Sequence, residues 1–346
     1  MKLISSLAGF AAGTALLVSS AQAEGLAGAP APFDKSGVEI AVVSFLGSGD
    51  WLQAFEAGTK RQAEALGVTL TLSQARNDND TERTLVEQAI NRGVKGIVIN
   101  NGRPEVLKDV AQKALDAGIK VVAYDVNLDN PAIPQIEQSD KDMARLVLEQ
   151  AVKDKGDGFV ASAVYVAGFA PLDRRYAVFK DFVAKHNLTE KAVWGVVNDT
   201  VPASVADQTK AVLRANPEIS VIFTPWDEFA KGVKLAIDEL GVADKTKIYG
   251  VDISTADIQL INEPGSTWVA TAATNAAVVG EVAVRAVSLS IAGQNPGASV
   301  LLQPTLVTRD DLVNNKIETI EDLQQKFPAF SASDAATASW IPAPKP

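Results

Sequence analysis

Short β-branched runs alternate with stretches of helical period along most of this chain, and the alternation occurs twice. The first series places apolar runs at residues 38–45, 68–73, 96–99 and 120–124; the second places them at 160–166, 193–197, 221–224 and 247–250. Unbroken apolar runs of this length suit parallel strands whose two faces are both covered by helices. Between them, residues 51–66 bring Leu52, Phe55 and Ala63 near one face, and Gly67 follows. Gly93 and Gly118 close two further stretches in the same way, as a left-handed residue past a helix end does. Regular βα spacing implies right-handed crossovers. The pattern predicts an α/β protein of two doubly wound parallel-sheet lobes.

The residues that end the runs carry the candidate chemistry. In the first series they open onto Gly47-Ser48-Gly49-Asp50-Trp51, residues 74–76, Asn100-Asn101 and Asp125. In the second they open onto Gly168 onward, Asn198, Pro225-Trp226-Asp227 and Asp252. Ligands of open α/β sheets bind just beyond the carboxyl ends of the strands. Two sheets carrying such groups predict two jaws around one small polar molecule.

The pattern breaks near residues 131–139, where a short extended piece, 135–138, precedes a helix, and the first crossing between lobes is expected there. A long apolar helix over 276–291 is expected to pack back on the first lobe, and 300–307 to return to the second. The expected division is a lead-in at 24–35, a first lobe of 36–137 plus 275–297, a second of 138–274 plus 298–330, and a flexible tail at 331–346.

Composition narrows the function classes. With 47% hydrophobic and 21% charged residues, the 346-residue chain is of ordinary globular make-up. A net charge of −10 argues against nucleic acid, whose phosphates demand clustered Lys and Arg. Lys2, an apolar stretch over 3–18 and Ala21-Gln22-Ala23 read as a cleavable export signal over residues 1–23, with the mature chain starting at Glu24 in the periplasm. The absence of cysteine removes disulfides, thiolate nucleophiles, Cys-ligated metals and a lipid anchor on cysteine. The single histidine, His186, stands at a helix end, which favours a cation, and nothing near it suggests a catalytic triad. Residues 77–82 briefly resemble a calcium loop but lack its Gly and distal Glu, so capping of the next helix is the better account. An enzyme, a cofactor and a metal site are therefore not expected.

Trp51 and Trp226 follow strand ends of the two series, and flat rings cover the apolar face of a sugar or polyol while polar neighbours bond its hydroxyls. Trp194 and Trp268 read as core packing. Asp125 and Asp252 each end the fourth strand of a series and are acceptors for vicinal hydroxyls, with helix caps or a salt bridge between lobes as the alternative. Arg175 offers a fork of donors, and Arg174 competes for that role. Asn101, Gln138 and Asn198 are candidate amide contacts, and Ser48 and Asp50 lie on the loop after the first strand.

These residues carry a family resemblance. Ala41-Val42-Val43-Ser44 with Gly58 and Glu64-Ala65-Leu66-Gly67 forms one signature. Gln88-Ala89-Ile90 with Gly96-Ile97-Val98-Ile99-Asn100, and Val121 to Asp125, form the next. Asp227-Glu228 with Ala230 and Gly232, then Tyr249-Gly250-Val251-Asp252, complete the set. Over nearly all of its mature length the chain resembles the periplasmic sugar-binding proteins of ABC importers, of the ribose- and galactose-binding kind. The resemblance implies two lobes joined by a three-strand hinge, closure on a monosaccharide or sugar alcohol, and delivery by a monomer to a membrane permease. It places Trp51 at a stacking aromatic, Asp125, Arg175 and Asp252 at sugar-binding positions, and Thr274 or Asn275 at a late polar contact beside the hinge. Val126 stands where the family has Arg, and Trp226 where ribose-type members have Asn, which implies a more apolar pocket. The alternatives are a ligand-presenting receptor subunit for chemotaxis or quorum-type signalling, and an exported sugar-active enzyme.

Overall fold

The computed structural model describes residues 25–331 and 333–344; the export signal expected over residues 1–23 lies outside the described residues. Two six-stranded sheets hold the chain. The first is built from β1 (Glu39–Ser44), β2 (Thr69–Gln74), β3 (Gly96–Asn100), β4 (Lys120–Tyr124) and β5 (Gln135–Gln138) as the chain runs out. The helices α1 (Asp50–Leu66), α2 (Asn79–Arg92) and α3 (Pro104–Asp116) fall between its first four strands. After α4 (Asp140–Lys155) the second sheet begins: β6 (Val160–Val164), α5 (Ala170–Lys185), β7 (Thr189–Trp194), α6 (Val201–Ala215) and β8 (Val221–Thr224). It continues through α7 (Asp227–Leu240), β9 (Lys247–Val251), α8 (Thr255–Asn262) and β10 (Trp268–Ala273). The chain then returns with α9 (Ala276–Ile291) and β11 (Ser299–Leu302) before β12 (Thr305–Thr308), α10 (Arg309–Asn315) and α11 (Ile320–Lys326).

Strand order is β11-β5-β4-β3-β1-β2 in the first sheet and β12-β10-β9-β8-β6-β7 in the second. All pairs are parallel except β10 with β12. The expected fold class holds. The two-residue period of β1 shows why its run is unbroken: Ile40 and Val42 join the apolar cluster under α1 and α9, while Ala41 and Val43 join the one under α2 and α3.

The chain passes between sheets after β5, after β10 and between β11 and β12. The run at 300–307 is thus divided rather than wholly in the second sheet. Ser299–Leu302 pairs with β5, and Pro304, which lacks a backbone donor, stands at the break. Two glycines set the approach of α1 to α9: a Cβ on Gly58 would lie 1.8 Å from the Ala277 carbonyl oxygen, and one on Gly280 would lie 2.1 Å from that of Phe55.

Both terminal segments differ from the loose chain expected of them. Phe33 is buried and its ring packs at a tilt against that of Trp340, centres 4.9 Å apart, and the Trp340 indole N–H donates to Gln294 Oε1. Gln62 donates to the Pro342 carbonyl and Arg285 to that of Ser333. Residues 333–342 therefore lie as a strap along the first lobe, held there by buried aromatic area.

Candidate functional site

Asn101, Asp125 and Asp252 follow directly on β3, β4 and β9 with φ of 65°, 51° and 73°. Their backbone N–H groups still bond the neighbouring strand: Asn101 to the Tyr124 carbonyl, Asp125 to that of Ile136 and Asp252 to that of Ala272. Each ladder thus runs one residue past its strand and then turns left-handed, a conformation that Asn and Asp tolerate better than other residues with a Cβ. The turn aims all three side chains into one space between the lobes. Asn101 is fixed by its neighbour, for its side chain donates to Asn100 Oδ1, and Asn100 donates to Ser44.

That space is a cavity of about 510 Å³, mouth included, whose polar lining is Asn101, Asp125, Gln138, Arg175 and Asp252. The rest of the lining is apolar or aromatic: Trp51 and Tyr124, then Phe45, Leu46, Phe169, Pro171, Leu172, Val197 and Trp226. Phe45 and Phe169, from opposite lobes, meet with ring centres 5.3 Å apart, and the Arg103 guanidinium lies over Phe169. Trp51 stacks on Phe55 and Tyr124, and Trp226 packs edge-on against Phe229.

Three polar atoms at this cavity are buried without a hydrogen-bond partner among the described residues: Trp51 Nε1, Tyr124 Oη and Asp252 Oδ1. An orphaned buried donor or acceptor costs about 1–3 kcal/mol. Two donors and an acceptor left open in one cavity lining form the complement of a ligand that both accepts and donates.

Charge is held around them by Arg175, itself 3% exposed. Its Nε donates to Asp140 at 2.6 Å, and Nη1 donates to the Pro225 carbonyl at 2.7 Å and reaches Asp252 Oδ2 at 3.5 Å. Burial works against the cation, but Asp140, Asp252 and Asp125 hold it charged, above the usual arginine range. Burial pushes the Asp252 carboxyl up to about 6, against the pull of Arg175. The Asp125 carboxyl is likewise raised by burial and by Asp140, with Arg174 and Arg175 opposing.

Arg174 and Arg175 take different roles, since adjacent residues on a helix point about 100° apart. Arg175 enters the cavity, while Arg174 bridges Asp140 and Asp125 outside its lining. Of the other sequence candidates, Trp51, Asn101, Asp125, Gln138, Trp226 and Asp252 all line the cavity. Ser48, Asp50 and Asn198 do not; they line an outer groove beyond Leu46 and Trp226, where Asp50 pairs with Lys231 of the opposite lobe at 2.7 Å. Thr274 donates to Gln138 Oε1, leaving the amide nitrogen of Gln138 as its donor toward the cavity. Asn275 caps α9 through the Ala277 N–H.

Sequence reasoning passed over Tyr124, Phe45, Phe169 and Val197. Tyr124 and Phe45 stand at strand ends beside residues it did select, and that position was the available signal. The loop at 77–82 is a helix cap, with Asp78 Oδ1 accepting from the Thr81 N–H. His186 pairs with Asp157. Trp194 is buried in the core with its indole bonded to Thr209.

Residues 40–295 match the model of the periplasmic binding protein domain. The chain belongs to this family. It is 35% identical to a solved 5-methylthioribose transporter solute-binding protein from Thermotoga lettingae TMO, in complex with 5-methylthioribose, with a TM-score of 0.86 over 88% of this chain and 97% of that one. A sugar ABC transporter structure from Yersinia enterocolitica subsp. enterocolitica 8081 is 27% identical, with a TM-score of 0.85 over 89% of this chain and 94% of that one. The D-xylose-binding periplasmic protein of Escherichia coli (strain K12) is 28% identical over 58% of this chain; the match spans 62% of that protein's length. No described helix is long and apolar enough to cross a membrane.

Proposed function

We propose that this protein is the solute-binding component of an ABC importer and that its ligand is a small sugar bearing an apolar substituent. Working as a monomer in the periplasm, it captures the ligand between its lobes and presents the closed form to a membrane permease, binding without turnover. The observation that carries this reading is the make-up of the cavity lining. Open buried polar atoms, Trp51 Nε1, Tyr124 Oη and Asp252 Oδ1, join Arg175, Asp125 and Gln138 there. Beside them, Phe45, Leu46, Phe169, Pro171, Leu172 and Val197 present no side-chain partner for a hydroxyl.

A hydroxyl placed against such a wall loses its water without a replacement bond, whereas an alkyl or thioether group gains about 25 cal/mol per Å² buried. A pentose of the 5-methylthioribose kind has both halves: vicinal hydroxyls for the carboxylates and guanidinium, and a methylthio tail for the aromatic wall. The ligand of the relative from Thermotoga lettingae TMO supports the same choice. Ligand shifts the lobes toward closure only by binding the closed form more tightly, which the contacts from both lobes provide.

The test is a calorimetric and thermal-shift comparison of 5-methylthioribose, D-ribose, D-xylose and the corresponding alditols. The thio sugar is expected to bind most tightly and to raise the melting temperature most. Equal or better binding of the unsubstituted sugars removes the apolar-tail assignment, and binding of none of them removes the sugar reading.

A further inference from the structure

Several polar contacts join the lobes across the cleft. Lys231 and Ser254 reach Asp50, Asn77 reaches Asp199, and Arg103 reaches the Ala167 carbonyl, and none of these acceptors lines the cavity. Arg174 reaches two carboxylates of the opposite lobe, Glu137 at 3.5 Å and Asp125 at 2.6 Å, and of these Asp125 lines the cavity. Its carboxylate side chain is 2% exposed and the arginine side chain 23%. Exposed contacts such as Asn77 with Asp199 and Arg103 with the Ala167 carbonyl contribute little, whereas a carboxylate sealed from solvent needs its partner.

The partners of Arg174 separate into two sets. Asp140, which accepts from Arg174 Nε at 2.8 Å, begins α4 and belongs to the same lobe as α5. That contact persists wherever the lobes stand. Asp125, directly after β4, and Glu137, on β5, belong to the opposite lobe, so their contacts with Arg174 exist only while the lobes are together. Closure removes water from Asp125 and in the same movement delivers the guanidinium to it.

We infer that Arg174 couples lobe closure to ligand capture: it neutralises Asp125 from behind while the ligand's hydroxyls engage that carboxylate from the cavity, so that neither event is favourable without the other. This assignment rests on the sugar-binding reading above. Arg174 is a positioning residue, since it does not line the cavity and acts on the ligand through Asp125. The groups facing Asp125 are Tyr124, Asp140, Arg174 and Arg175. Of the two cations, Arg175 is committed to Asp140, the Pro225 carbonyl and Asp252. Arg174 is therefore the donor that Asp125 gains on closing.

The experiment measures dissociation constants and off-rates for wild type, Arg174→Ala, Arg174→Lys, Asp125→Asn and the double variant Asp125→Asn/Arg174→Ala. The probe is whichever of 5-methylthioribose and D-ribose the wild type binds. Arg174→Ala is expected to weaken binding by about tenfold or more, mainly through a faster off-rate, as loss of one partner of a buried charge pair does. Arg174→Lys should restore part of the loss. In the Asp125→Asn background the same Arg174→Ala change should cost less than about threefold, because the carboxylate it serves is gone. Melting of the ligand-free variants reports any folding defect separately. Unchanged affinity and off-rate in Arg174→Ala, or an equal loss in both backgrounds, overturns the coupling. A wild type that binds neither probe overturns the sugar-binding reading instead.

Discussion

Arg175 Nη1 and Asp252 Oδ2 stand 3.5 Å apart in the cavity lining, at the outer limit of a hydrogen bond, and Asp252 Oδ1 has no hydrogen-bond partner among the described residues. A guanidinium committed to Asp140 and the Pro225 carbonyl thus holds the carboxylate in place without saturating it. The open oxygen is the acceptor for a ligand hydroxyl. Asp252→Asn keeps the shape and removes the charge, so ligand affinity should fall about tenfold or more while the fold persists, because hydrogen bonds to ionised acceptors contribute about 1.5–3 kcal/mol. Arg175→Ala strands the buried carboxylate of Asp252 and leaves Asp140 to Arg174 alone, and should lower stability by about 3–5 kcal/mol as well as abolish binding. Titration calorimetry and urea unfolding measure the two effects; a stable Arg175→Ala variant that binds normally contradicts this account.

The same burial gives the protein a pH dependence. The Asp252 carboxyl is pushed up to about 6 by desolvation, and that of Asp257 likewise to about 6, from the ordinary 3.8. Between those values the folded chain holds protons that the unfolded chain has released. The ligand-free protein should therefore lose stability as pH rises from about 4 through 6, and the loss should level off above it. Ligand hydroxyls favour the ionised Asp252, so binding should tighten over the same interval and release a proton. Unfolding free energies at stepped pH, and binding heats in buffers of different ionisation enthalpy, check both signs. Asp252→Asn should flatten its share of each slope.

Trp226 marks the boundary between the inner cavity and the outer groove, since it lines both. Replacing it by Asn removes apolar wall and supplies hydroxyl partners. Trp226→Asn should weaken binding of 5-methylthioribose by more than it weakens binding of D-ribose, narrowing the ratio between them about tenfold, the scale of ~1.4 kcal/mol. Parallel calorimetry with both sugars reads the ratio directly, and an unchanged ratio places the apolar tail elsewhere.

Helices α1 and α9 meet backbone to backbone, so a methyl group at Gly58 or Gly280 has nowhere to go. Either Gly→Ala change should destabilise the first lobe by about 3 kcal/mol through overpacking, although alanine is the better helix former. Thermal unfolding decides it, and a variant as stable as wild type shows that the helices separate freely.

Much of this architecture was legible because buried parallel strands announce themselves. Ile40 and Val42 face one helical layer and Ala41 and Val43 the other, so no polar residue interrupts the run. Position at a strand end marks Asn101, Asp125, Trp226 and Asp252 from the sequence. That signal has limited reach, for Ser48, Asp50 and Asn198 also follow strands and open onto the outer groove instead. Which side of Leu46 and Trp226 a loop residue falls depends on how the lobes meet, and no local spacing encodes that. The tail shows the same limit: residues 331–346 lack periodicity, yet Trp340 is held by Phe33 from the far end of the chain.

Local order was set by the sequence alone: the βα alternation, the helix stops at Gly67 and Gly93, and the short polar residues that turn left-handed after β3, β4 and β9. These follow from backbone sterics and from the two-sided burial of each strand, which act within a few residues. Only the tertiary structure decided that Arg175 enters the cavity while Arg174 bridges to Asp125, that Tyr124 and Trp51 leave polar atoms open there, and that the terminal strap lies on the first lobe. Those outcomes depend on distances between residues far apart in the chain, and such distances exist only once the two lobes have packed.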